Sequence, residues 1–178
     1  MRTLLMSAAM ALALAACQPP APTSTQNETP PPNEPPAIEA CNTVAPDATR
    51  LVSVTDAPVG VAASTDLRGG PITPGLYDLT SAQRVGAATG WAGERAVALD
   101  VAEEASGGVT LQWAGAQPGG AIDRWSATLT DTPETRLTYT CGRMGAVDAD
   151  FAATASALEL RITDGADGSL HLTFAKRP

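Results

Sequence analysis

Val109-Thr110-Leu111-Gln112-Trp113 and Trp125-Ser126-Ala127-Thr128-Leu129 each alternate apolar with polar residues. Successive side chains of an extended chain point to opposite faces, so this period of two predicts strands with one dry and one wet face. The same pattern recurs outward in both directions. Leu137 and Tyr139 alternate with Thr138 and Thr140, and Tyr77 and Leu79 share a face within Gly75-Leu76-Tyr77-Asp78-Leu79-Thr80. The stretch from Glu94 to Glu104 is alanine-rich and compatible with a helix, yet Val97, Leu99 and Val101 alternate cleanly, which favours a strand. Further on, Phe151, Ala153 and Ala155 hold odd positions while Leu158, Leu160 and Ile162 hold even ones. Such a change of phase requires a turn near Ser156 and Ala157. A last strand carries Leu170, Leu172 and Phe174, after the turn Asp164-Gly165-Ala166-Asp167-Gly168. Trp125 to Tyr139 and Phe151 to Ile162 form a weak internal repeat of strand, polar turn, strand. Together these segments predict an all-β domain of about eight antiparallel strands. A small closed barrel is favoured over a two-sheet sandwich, because closure removes the unpaired edges that invite aggregation.

The N-terminus reads differently. Arg2 precedes an uncharged run from Leu4 to Ala16, too short to span the roughly 20 residues of a membrane helix and matching the apolar core of a signal peptide. It ends in Leu14-Ala15-Ala16-Cys17, which resembles the lipobox of bacterial lipoproteins. That resemblance implies cleavage before Cys17, a lipidated (diacylglycerol and palmitate-type) cysteine and a permanent membrane anchor, since each buried acyl CH₂ is worth about 0.8 kcal/mol. An ordinary secretory signal with a nearby cysteine is the alternative. Residues 17–40 hold eight of the fifteen prolines and, in Ile38, one large aliphatic residue. They are expected to form a disordered stalk, reaching about 26 Å as a coil or about 70 Å as polyproline II. A proline-rich docking motif is the other reading. The domain is then expected over 41–178.

Gly69-Gly70-Pro71-Ile72 leading into Gly75-Leu76-Tyr77-Asp78-Leu79-Thr80 resembles the opening of a group of bacterial lipoproteins with lipocalin-like (calycin-type) β domains. The strand Leu137-Thr138-Tyr139-Thr140-Cys141 and the hairpin from Phe151 to Ile162 are similar to later parts of the same pattern. The resemblance runs from about residue 66 to 175 and implies the barrel and the envelope address. The Gly-x-Trp signature of true lipocalins is missing, because Gly90-Trp91 is not on a first strand, so ligand carriage is not implied. Gln18 after the lipidated cysteine, where retained inner-membrane lipoproteins carry aspartate, points by resemblance to the outer membrane, with the domain facing the periplasm.

A formal charge of −8 repels nucleic acid and anionic lipid headgroups, so no nucleic-acid partner is expected. An exported chain permits disulfides, and Cys41 and Cys141 are expected to pair; without a Cys-x-x-Cys spacing a redox role is disfavoured. His171 is the single histidine, placed by alternation on the outer face, and no serine sits in a Gly-x-Ser-x-Gly elbow. The acidic pairs Glu103 and Glu104, Asp148 and Asp150, and Asp164 and Asp167 lack the spacing of a calcium loop and read as solvated turns. No metal, cofactor or catalytic residue is therefore expected. Trp113, Trp125, Tyr77 and Tyr139 are expected in the core, and Trp91, between Gly90 and Ala92, as an exposed loop contact. The function expected is a non-catalytic structural or interaction module of the cell envelope. The alternatives are a carrier of a small lipophile inside the barrel and, last, an envelope hydrolase. The partners expected are the membrane through the anchor and an envelope protein or a small lipophile.

Overall fold

The computed structural model describes residues 40–57, 67–105, 107–131 and 134–178. The signal segment, Cys17 and the linker up to residue 39 lie outside the described residues. Nine strands run in order: β1 (Val52–Asp56), β2 (Gly75–Gly86), β3 (Glu94–Glu103), β4 (Val109–Ala116), β5 (Asp123–Thr130), β6 (Arg136–Cys141), β7 (Ala146–Ala153), β8 (Ala157–Thr163) and β9 (Gly168–Lys176). From β2 to β9 each strand pairs antiparallel with the next. β9 then returns to β2, from Tyr77 opposite Lys176 to Gly86 opposite Gly168. The result is an eight-stranded up-and-down barrel, as the alternating sequence predicts. The region from Glu94 is strand, not helix, and the change of phase before Leu158 falls at the β7–β8 turn, where the Thr154 hydroxyl caps the Ala157 amide at 3.1 Å.

β1 is the strand beyond the eight. β2 and β3 pair with each other only between Gly75 and Asp78 on one side and Ala98 and Val101 on the other, then diverge. β1 enters the gap, parallel to β2 at Val54 to Asp56 and antiparallel to β3 at Val52 and Ser53. Its Val52 and Val54 pack against the core. The wedge supplies hydrogen-bond partners that the splayed strands would otherwise lack.

The core lies inside the barrel. Tyr77, Leu99, Leu111, Trp125, Leu137, Leu160, Leu172 and Phe174 are among its fully buried side chains. Trp113 and Trp125 stand directly opposite each other across β4 and β5 and stack at 5.0 Å, with planes 12° apart. Phe174 meets Trp113 edge-on at 5.9 Å, and Tyr139 meets Trp125 edge-on at 5.4 Å. Gly115 comes next on the same inward row, and a Cβ there would approach the Trp113 indole nitrogen to 2.9 Å; the glycine is the space that the indole fills. An apolar interior and an outer row of Thr110, Gln112, Thr128, Glu159 and Arg161 are the reverse of a barrel that spans a membrane.

The segment before β1 is fastened to the outside of the barrel. The Asn42 side-chain amide donates to the carbonyls of Trp113 and Trp125, at 3.1 and 3.0 Å, and the Ser126 hydroxyl donates to the Cys41 carbonyl. Val44 packs against Ala98 and Ala114, whose small side chains let it approach the sheet. Cys41 is disulfide-bonded to Cys141, as expected. Simple alternation would turn Cys141 inward with Leu137 and Tyr139. A bulge prevents this: Ala127 pairs with Tyr139 but Ser126 pairs with Cys141, so Thr140 is the extra residue and Cys141 emerges on the outer face.

The disulfide closes a loop with a sequence separation of 100 residues. Replacing Cys141 by serine is expected to lower the unfolding free energy by roughly 3–5 kcal/mol on loop-closure grounds, measured by urea titration against the oxidised protein. A loss below about 1 kcal/mol would show that the non-covalent strap suffices.

Candidate functional site

The two ends of the barrel differ. At one end the β3–β4 turn, the end of β5 and the Gly70–Ile72 segment surround a cleft of about 710 Å³. Ile72, Val109, Leu129 and Phe151 contribute apolar surface to its lining; Glu103, Glu104, Thr130 and Asp131 supply its polar part. Glu104 is held in place by the hydroxyls of Thr110 and Thr128, which donate to one carboxylate oxygen at 2.6 and 3.0 Å. Two hydrogen bonds to a fixed carboxylate orient it and satisfy it, so it is a shaped acceptor surface.

At the opposite end the aromatic core comes up under a layer of arginines. Trp91 lies in the β2–β3 connection but is buried, 5.5 Å from Trp113, so the expectation of an exposed contact is corrected. The loop that carries it is fastened by a distant residue. Asp164, in the β8–β9 turn, accepts hydrogen bonds from the backbone amides of Thr89 and Gly90, at 2.9 and 2.7 Å, and draws the loop over the barrel mouth. Arg95 lies over the Trp91 ring at 4.9 Å, and Arg143 lies 5.7 and 5.8 Å from the rings of Trp125 and Tyr139. Arg143 also pairs with Asp123 at 2.8 Å. Burial lowers the Arg95 pKa from its usual value; attraction to Asp123 opposes this and repulsion from Arg143 adds to it.

The acidic residues singled out in the sequence do not converge. Asp150 pairs with Arg161 at 2.7 Å and Asp148 with Arg136 at 3.7 Å, both on the outer surface. Glu103 and Glu104 meet at the cleft, whereas Asp164 works at the other end. His171 is on the outer face, as alternation requires, where Glu159 lies 3.4 Å from its Nε2. Among the described residues no group of three or more His, Cys, Asp or Glu could hold a metal ion. No motif in the sequence singles out Asp78. It is 4 % exposed on the outside of β2, and Arg177 grips both its oxygens at 2.8 and 2.6 Å while Arg50 stands at 3.5 Å. The pair raises the Arg177 pKa through that hydrogen bond and ties the C-terminus to the entering segment.

No family model matches the sequence, and no curated protein matches it. Among solved structures the chain is similar to a de novo designed fluorescence-activating β-barrel, at 11% identity and a TM-score of 0.42, covering 59% of this chain and 94% of the design. No function passes to this chain from that likeness.

Asp164→Ala removes the acceptor for two amides and is expected to destabilise by about 1–2 kcal/mol. It should also release Trp91, seen as a red-shifted tryptophan emission in the folded protein. Asp164→Asn, which keeps one oxygen acceptor, should show a smaller shift. Unchanged emission in Asp164→Ala would mean that packing on Trp113 alone seats Trp91.

Proposed function

We propose that this protein is a lipid-anchored component of the cell envelope, held by Cys17 on the outer membrane with its barrel in the periplasm, and that it works by binding a partner protein and not by catalysis. The observation that carries the binding reading is where the titratable side chains are spent. Asp78, Asp150 and Asp123 are paired with arginines, Asp164 is used on two backbone amides, Glu104 on two threonine hydroxyls, and Glu159 stands against His171. Such groups hold a fold together and are poorly placed to exchange protons with a substrate. The cleft, with its acidic rim and apolar floor, is the surface on which a partner would dock.

A second reading, carriage of a small lipophile, is favoured by one feature, the apolar floor of Ile72, Val109, Leu129 and Phe151 in that cleft. It would be a shallow site at the mouth, because Trp113, Trp125, Tyr77 and Phe174 fill the interior.

The anchor is tested by labelling cells with an alkyne fatty acid. The wild-type chain is expected to take up label and sediment with membranes, and Cys17→Ser to do neither; label retained by Cys17→Ser would remove the anchor from the proposal. The partner is tested by a photo-crosslinking residue at Glu103. A discrete protein adduct in intact cells supports the interaction module. A small retained mass in native mass spectrometry, without an adduct, would replace it with the carrier.

A further inference from the structure

Among the described residues, the arginine-capped end of the barrel holds two buried hydrogen-bond donors that no acceptor meets. Arg95 continues the inward row of Val97, Leu99 and Val101, so its guanidinium rises from the core and not from the outer surface. Among the described residues it makes no ion pair, and its buried Nε–H has no hydrogen-bond partner. The indole Nε1–H of Trp125, a residue only 2 % exposed, is likewise buried without a partner. Arg143 reaches the rings of Trp125 and Tyr139 from the β6–β7 loop, and its one ion-pair partner among the described residues, Asp123, engages a single nitrogen at 2.8 Å. Two guanidinium groups therefore stand on one row of packed rings, Arg95 over Trp91 and Arg143 over Trp125 and Tyr139, with Trp113 between the two indoles.

That arrangement is costly for the protein alone. A buried donor left unsatisfied forfeits the hydrogen bond it would make in water, and a second cation beside a desolvated one adds repulsion. Both costs disappear if an anion accepts from the guanidiniums and the indole together. Planar guanidinium forks fit the paired oxygens of carboxylates and phosphates, and the aromatic floor excludes water that would weaken the contact. We propose that this end of the barrel binds a small oxyanion, a carboxylate or a phosphate monoester, between Arg95 and Arg143, with the Trp125 indole as a third donor. The site is separate from the cleft and from the anchor, and stands or falls without them.

The purified protein, in neutral detergent, is titrated with sodium benzoate and, separately, inorganic phosphate, at constant ionic strength with chloride as the reference. Tryptophan emission and the indole N–H resonances report binding. Saturable change with a shift of the Trp125 indole signal is expected for at least one anion, and the anion that saturates identifies carboxylate or phosphate as the preferred chemistry. Arg95→Met and Arg143→Met should each weaken binding about tenfold or more. Arg136→Met, on the outer surface, should bind as the wild type does. If Arg95→Met fails to fold, Arg95→Lys keeps the charge without the fork, and is expected to fold and to bind more weakly. Linear drift identical to that in chloride, or undiminished binding in the folded Arg95 and Arg143 variants, would overturn the site.

Discussion

The interior of an eight-stranded barrel has a width set by strand number and stagger, enough for side chains to fill and little more. In this protein it is filled by stacked and edge-on rings: Trp91 on Trp113, Trp113 on Trp125, Trp125 against Tyr139, with Phe174 closing on Trp113 from β9. Everything else adapts to that stack. Gly115 must lack a side chain because the Trp113 indole occupies its place, and the β2–β3 loop must fold inward because Trp91 completes the row. Rings this large also bind the strands that carry them, β4 to β5 and β9 across the interior, so packing and closure are a single constraint. With aromatics at 4% of the sequence, few are left for any other task.

A second layer of design is on the outside. The segment from Cys41 to Arg50 runs along the barrel as a strap: Asn42 hydrogen-bonds two strand carbonyls, Val44 rests on two alanines, and the Arg124 guanidinium donates to the Val44 carbonyl. Asp78 gathers Arg50 and Arg177, so the beginning and end of the domain are joined at one buried carboxylate. β1 then leaves the strap and wedges between β2 and β3. Closure at that end thus depends on residues outside the repeating meander.

The eight barrel strands are legible because each carries its own alternation, and local periodicity reflects a face that must be dry. β1 is not. Its five residues, Val52-Ser53-Val54-Thr55-Asp56, alternate over two valines alone, too short a run to specify a strand; they are a strand because a gap between two others accepts them. Trp91 misleads for a related reason. Between Gly90 and Ala92 there is no period to read, and the loop that carries it is fastened by Asp164, more than seventy residues away. The pairing of Cys41 with Cys141 can be inferred from compartment and count, but the bulge at Thr140 that makes it geometrically possible leaves no mark in the pattern. The arginine end is partly visible: Arg95 stands in the inward row with Val97, Leu99 and Val101, and a cation in a dry row is a signal. The row cannot reveal that Arg143 arrives from another loop.

The disulfide also sets a load path. A pull on the chain ahead of Ala40 reaches Cys41 first and passes through a covalent bond into β6, leaving residues 42–140 in a closed loop that carries little of the tension. The strap, β1 and the β2–β5 half of the barrel lie inside that loop. Such a pull therefore loads the Cys141 end of β6 and the strands after it, while the hydrogen bonds of Asn42 and the wedge of β1 are shielded. In a reduced molecule the same tug would reach the strap directly and peel it from the barrel one contact at a time.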